Sequence, residues 1–145
     1  MIHISHATSE QLPEIMAIDA ATNSSAWSLA WWQSVLQSDL DTVLVAQNKQ
    51  GAILAFIVWQ TIVDEMELHL IATATKYRQQ GIAQMLMQEM FQAASTANIV
   101  RIMLEVRASN HAAQNLYRKL GFSATAVRQK YYRDGEDAVL MEKII

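Results

Sequence analysis

The chain contains no cysteine. That excludes disulfides, thiolate metal sites and any covalent intermediate on a cysteine. There is no Gly-x-Ser-x-Gly elbow, so acyl transfer through a serine has no support. The histidines His3, His6, His69 and His111 lack ligand spacing, and no metal is expected. Charge is sparse, at 17% charged residues and a net −3. A general nucleic-acid binder would be basic, so direct nucleic-acid binding is not expected, whereas a basic peptide is a compatible partner. Long apolar runs are also missing. The longest, Ala52 to Trp59, falls far short of the ~20 residues that span a bilayer, so no membrane partner is expected. Residues Met1 to Ser5 lack a basic segment leading into an apolar one. These absences fit a cytoplasmic location.

What remains is a chain of 145 residues, 52% of them hydrophobic. That is enough for one domain, 1–145, with a real core. A monomer is compatible with this length and composition. A strand is expected over Ile2–Ser5. Thr8 and Gln11 form a capping-box pattern before an apolar helical stripe at Leu12, Ile15 and Met16, with Pro13 in its first turns. Ser28 is placed to cap a second helix through Trp32 and Leu36. Trp27, Trp31 and Trp32 cluster here and read as core or lid packing. Strands over Thr42–Gln47 and Ile53–Thr61 flank the turn Asn48–Gly51, predicting a hairpin. Glu65 to Ala74 alternates, with Met66, Leu68, Leu70 and Ala72 on one face.

The stretch Lys76 to Gln84 is a polar loop with one glycine that opens a strongly periodic helix containing Ile82, Leu86, Met90 and Ala94. The first N–H groups of a helix have no intrahelical acceptor, and the dipole adds partial positive charge, so such a loop suits phosphate oxygens. Taken alone, these residues fit an ordinary strand-to-helix turn better than a phosphate site.

Arg101 to Arg107 is the next strand, with Ile102, Leu104 and Val106 on one face and Glu105 on the other. A helix between two strands of one sheet implies a parallel crossover. Ser109 or Asn110 starts the next helix, which Gly121 ends. Asn110 and Tyr117 stand seven positions apart, about two turns, and share a face. Taken singly, Glu105 reads equally as a surface carboxylate paired with Arg101 or Arg107, and Tyr117 as a core aromatic. Strands over Ser123–Gln129 and Ala138–Glu142 close the chain. The order is β-α-α-β-β-β-α-β-α-β-β, a mixed α/β sheet rather than a doubly wound one.

Arg78-Gln79-Gln80-Gly81-Ile82-Ala83 matches the pattern Gln/Arg-x-x-Gly-x-Gly/Ala. Asn110, Ala113, Tyr117, Gly121 and Phe122 match Asn-x-x-Ala-x-x-x-Tyr-x-x-x-Gly-Phe. With these motifs and this element order the chain resembles the GCN5-related N-acetyltransferase family over essentially its whole length. Leu104 to Asn110, Trp27-Ser28 and Tyr131-Tyr132 with Asp134 to Ala138 narrow the resemblance. They point to the branch that acetylates the N-terminal alanine of protein eighteen of the small ribosomal subunit. Gln79 and Gln84 depart from the arginines common in relatives, and Ala26 replaces a usual proline before Trp27.

The resemblance implies acetyl-CoA as cosubstrate, no metal, a ribosomal-protein N-terminus as acceptor, and a sheet splayed beside the strand that carries Glu105. Pantetheine would pair with the backbone of Ile71, Ala72 and Thr73. Pyrophosphate would sit over Gln79, Gln80, Gly81, Ile82, Ala83 and Gln84, beside Arg78, and Asn110 would fix the pantetheine arm. Glu105 would be the base and Tyr117 the acid, with Glu67 and His69 as rival bases. Glu65, Glu67, Asp134, Glu136 and Asp137 could rim a site for a basic peptide, or be plain solvated surface. Acetylation of other protein N-termini, or of small-molecule amines, is the alternative activity. A non-catalytic CoA-binding module is an alternative of another class.

Overall fold

The computed structural model describes residues 1–145. Strand β1 (His3–His6) is followed by helices α1 (Leu12–Thr22) and α2 (Leu29–Gln37). Strands β2 (Asp41–Gln47), β3 (Ile53–Ile62) and β4 (Glu65–Thr73) come next. Helix α3 (Ile82–Thr96), β5 (Arg101–Arg107), α4 (His111–Lys119), β6 (Ser123–Arg128) and β7 (Ala138–Ile144) complete the chain. This is the expected element order. The sheet has seven strands in the order β1-β2-β3-β4-β5-β7-β6, with β4 and β5 parallel. The β4–β5 register runs from Glu65↔Arg101 to Leu68↔Leu104, while β4 itself continues to Thr73 and β5 to Arg107.

Two compact units group the residues, Met1–Gln60 with His69–Ala93, and Thr61–Leu68 with Ala94–Ile145. In the first, the Thr8 N–H donates to Gln11 Oε1 at 2.9 Å, so the capping box forms. It caps a 3-10 turn, Ser9–Gln11, and α1 follows with Pro13 in its first turn, where a missing N–H costs nothing. Ser28 caps α2 as its Oγ accepts from the Trp31 N–H at 3.1 Å. The Asn48–Gly51 turn joins β2 and β3, with Asn48 Oδ1 accepting from the Gln50 and Ala52 amides, both at 3.0 Å. The core packs Ile15 and Trp32 of the helices against Val45, Phe56 and Val58 of the sheet. Burying each such side chain stabilises by roughly 1.5–3 kcal/mol. The three tryptophans divide: Trp32 is fully buried, Trp27 half-buried and packed on it at 4.8 Å, and Trp31 exposed.

In the second unit, β5 alternates as expected, burying Ile102, Leu104 and Val106. It pairs antiparallel with β7 from Arg101↔Ile144 to Arg107↔Ala138. The last hairpin therefore folds back so that β7, not β6, lies beside β5, and β6 forms an exposed edge. Gly121 has φ +99, the left-handed C′ position that ends α4. The Lys143 ammonium donates to the Leu120 carbonyl at 2.7 Å, supplying a cation where the helix dipole favours one.

Candidate active site

In the first unit, Ile71, Ala72 and Thr73 form the half-buried end of β4, and Ala72 packs against the core. A 3-10 turn, Thr75–Tyr77, leads into the loop before α3. Arg78, Gln79, Gln80 and Gly81 are exposed, Ile82 is buried and Gln84 is exposed. Gly81 accepts the first helical bond from the Met85 N–H at 3.1 Å, making it the N-cap of α3. Its φ is +76, and open space surrounds the position where a Cβ would stand. The glycine is thus required by backbone conformation, not by protein packing. Gln79 also has positive φ, +64, which is strained for a residue with a Cβ and is the kind of local cost found at ligand loops. Left-handed residues in a turn can aim successive N–H groups to one side and form a concavity for anions. With Arg78 and the N-terminus of a fifteen-residue helix, the donor set fits a pyrophosphate.

The second unit holds the titratable groups. Glu105 lies opposite Leu140 in the β5–β7 register, with its side chain 22% exposed. Its carboxylate stands 3.7 Å from Arg128 Nη1, and it also receives a hydrogen bond from the Tyr131 hydroxyl. That bond, then the charge of Glu105, pushes the Tyr131 pKa up. Glu67 is exposed on β4 and acts on Tyr131 in the same sense, so the rival base shares this neighbourhood. His69 follows as the next half-buried residue of that strand face.

The alternative pairing of Glu105 with Arg101 or Arg107 does not form. Arg101 binds Glu65 at 2.7 Å and Glu142 at 3.1 Å, and Arg107 binds Asp134 at 2.9 Å and Glu136 at 3.0 Å. The reason is register: β7 brings Glu142 near Arg101, and the β6–β7 turn brings Asp134 and Glu136 to the end of β5. The acidic residues suggested as a rim are largely engaged in these pairs.

Asn110 caps α4, its Oδ1 accepting from the Ala113 N–H at 3.1 Å. A ligand would therefore meet its Nδ2 side. Two turns on, Tyr117 is buried, at 6% exposure, with its ring 5.9 Å from that of Phe122. Burial, and secondarily the field of Tyr132, push the Tyr117 pKa up to about 12. Tyr132 links the two predicted catalytic groups, since Glu105 also acts on it, although burial is the main cause of its own raised pKa. No group of three His, Asp or Glu residues could hold a metal ion.

A sheet of this order, an α3 loop of this form and a buried tyrosine two turns into α4 define an acyltransferase architecture. The chain belongs to the acetyltransferase (GNAT) family, whose model matches residues 10–122. It is 33% identical over 141 residues to the [ribosomal protein bS18]-alanine N-acetyltransferase of Escherichia coli strain K12, covering 95% of this chain and 94% of that one. It is 31% identical to the protein of the same name from Salmonella typhimurium, covering 95% and 94%. The crystal structure of the ribosomal-protein-S18-alanine N-acetyltransferase from Escherichia coli superposes with a TM-score of 0.92 at 32% identity, over 100% of this chain and 94% of that one. The chain is thus an N-acetyltransferase.

The roles of Arg128 and Asp19, and the partners Arg107 actually takes, are not visible in the sequence alone. Asp19 is 1% exposed and accepts from Trp27 N–H at 2.9 Å, Trp32 Nε1–H at 3.2 Å and Asn23 Nδ2–H at 3.0 Å. One signal was available: a carboxylate one turn beyond Ile15 on an otherwise apolar stripe.

Proposed function

We propose that the protein transfers the acetyl group of acetyl-CoA to the N-terminal alanine of ribosomal protein bS18, within the cytoplasm, as one N-acetyltransferase domain over residues 1–145. The observation that carries this reading is identity of 31–33% to bS18-alanine N-acetyltransferases along 95% of the chain. No helix is long and apolar enough to cross a membrane.

The residues supply the chemistry as follows. Arg78, Gln79, Gln80, Gly81, Ile82, Ala83 and Gln84 hold the pyrophosphate, Ile71, Ala72 and Thr73 offer backbone groups to the pantetheine, and Asn110 fixes the arm. A backbone N–H at the end of β4 stabilises the oxyanion that forms when the amine attacks the thioester. An α-amine has a reference pKa of about 8 and is mostly protonated near neutrality, so one proton must leave before attack. Glu105 removes it. Transfer is direct, consistent with a chain that has no cysteine.

Tyr117 faces the leaving sulfur. With its pKa pushed up to about 12 it is neutral throughout the working range. A thiol has a reference pKa of about 8.5, so complete proton transfer from Tyr117 is uphill by roughly 3.5 units, or about 5 kcal/mol. Tyr117 therefore acts first as a hydrogen-bond donor to the developing thiolate. Proton transfer completes only as far as the same dry surroundings raise the thiol pKa too.

The test is acetyl-CoA turnover with a peptide copying the bS18 N-terminus, beside the same peptide with its first alanine replaced, and beside polyamines and aminoglycosides. Preference for the alanine peptide by at least tenfold is expected. Equal rates on the replaced peptide, or faster turnover of a small amine, would overturn the assignment.

A further inference from the structure

Arg107 is the last residue of β5, with its side chain 22% exposed. Its Nη1 donates to Asp134 Oδ2 at 2.9 Å and to Glu136 Oε1 at 3.0 Å, and its guanidinium carbon lies 4.0 Å from the centre of the Tyr132 ring. One cation thus grips the β6–β7 turn at three points. The turn is gripped from the backbone as well. Glu136 Oε2 accepts from the Ser109 N–H at 2.7 Å, and the Ala108 N–H donates to the Asp137 carbonyl at 3.0 Å.

The turn is also braced internally. The Tyr132 N–H donates to the Glu136 carbonyl at 3.1 Å, and the Gly135 N–H to the Tyr132 carbonyl at 2.9 Å. The Lys130 N–H donates to Asp137 Oδ1 at 2.9 Å. At its far side the turn reaches Glu105. The Tyr131 ring meets that of Tyr132 edge-on at 5.1 Å, and the Arg128 guanidinium lies 5.4 Å from the Tyr131 ring and 3.7 Å from Glu105.

We infer that Arg107 is a positioning residue for the acceptor: it clamps the β6–β7 turn to the end of β5 and thereby sets Tyr131, through Tyr132, beside Glu105. Arg107 touches neither of the reacting groups and acts only through the turn. The inference rests on Glu105 marking the place where the acceptor amine loses its proton. A planar guanidinium serves here where an ammonium would not, because it stacks on Tyr132 while its edge meets two carboxylates. The turn is mostly exposed, and none of the large fully buried side chains belongs to it. Loosening the clamp should therefore cost acceptor recognition far more than global stability.

The experiment compares Arg107→Gln, Glu136→Gln and the double variant of the full chain, with the alanine peptide as acceptor. Each single variant should raise the acceptor KM at least tenfold, with kcat within about threefold and the acetyl-CoA KM within about twofold. Because both remove one shared interaction, the double variant should be no worse than the weaker single one. Glu136→Gln carries the test if Arg107→Gln does not fold. An acceptor KM within twofold of wild type in the folded variants, or an acetyl-CoA KM rising in step with it, overturns the clamp. Glu105→Gln is assayed in parallel. Normal turnover there, with a raised acceptor KM in the clamp variants, removes the base assignment and keeps the clamp. Lost turnover there, with unchanged acceptor KM in the clamp variants, does the reverse.

Discussion

The Arg128 guanidinium lies 3.7 Å from the Glu105 carboxylate, the pair spanning the ends of two strands that β7 separates. Arg128 and an incoming α-ammonium are both cations drawn to one carboxylate. The Arg128 side chain is more than half exposed, so screening limits this contact to at most about 1 kcal/mol. Arg128→Gln should accordingly lower the acceptor KM by about two- to fivefold at low salt. The difference should shrink near 0.5 M salt, where the screening length falls to about 4 Å. A raised KM in this variant would show that Arg128 assists the acceptor instead of competing with it.

Glu105→Gln removes the proposed base while keeping nearly the same shape. General-base catalysis contributes about 10²- to 10⁴-fold, so turnover should fall by that order while acetyl-CoA binding, read by calorimetry, stays unchanged. Glu67→Gln and His69→Gln are the informative companions. If either of them loses more turnover than Glu105→Gln, the base lies on β4.

Tyr117 gives a prediction at the alkaline end. Its folded pKa is pushed up to about 12 from 10.0, so above pH 10 the unfolded chain releases this proton before the folded one does. The contribution is fully present below about pH 10 and is lost as pH rises towards 12, amounting to roughly 3 kcal/mol. Wild-type stability should fall over that window, and Tyr117→Phe should fall less steeply. The same variant should slow transfer near neutrality, and an unchanged rate would show the hydroxyl to be dispensable. No basic limb of the rate profile below pH 10 belongs to Tyr117.

Asp19 holds the α1–α2 connection by accepting three hydrogen bonds from Asn23, Trp27 and Trp32. Asp19→Ala leaves the buried Trp32 indole N–H without an acceptor and opens a small void. The expected loss is about 3 kcal/mol, or a Tm lower by about 10 °C. Asp19→Asn keeps one acceptor oxygen and should lose about half as much. A thermal shift of under 2 °C for Asp19→Ala would contradict this account.

Much of this architecture is written in local signals. The Ser28 cap, the Asn48–Gly51 turn, the alternation of β5 and the stop at Gly121 each act within a few residues, and each forms where the pattern places it. The α3 loop and the Asn110–Tyr117 helix are legible for the same reason. What is not legible depends on pairing across long separations. Arg107 meets partners 27 and 29 positions away, and only the insertion of β7 beside β5 brings them together. The sequence offers Arg101 and Arg107 as neighbours for Glu105, yet strand order brings Arg128 of β6 to it instead. Asp19 is hidden for another reason: a carboxylate on an apolar stripe looks like an interruption until indole and backbone donors are seen to converge on it.

The Arg107 clamp has an acid limit that can be read without any activity assay. Hydrogen bonding from Ser109, then from Arg107, holds the Glu136 pKa below its ordinary 4.5. For a carboxylate depressed on folding, the stabilisation is present above the unfolded pKa and is lost as pH falls through the folded one. The clamp should hold throughout the neutral range and loosen only below about pH 4.5. The Ser109 amide proton reports this directly, because it donates to Glu136 Oε2 at 2.7 Å. Its chemical shift should move upfield with a midpoint below 4.5, and Glu136→Gln should abolish that titration. A midpoint at or above 4.5, or a titration that survives in Glu136→Gln, would mean that another carboxylate governs the turn.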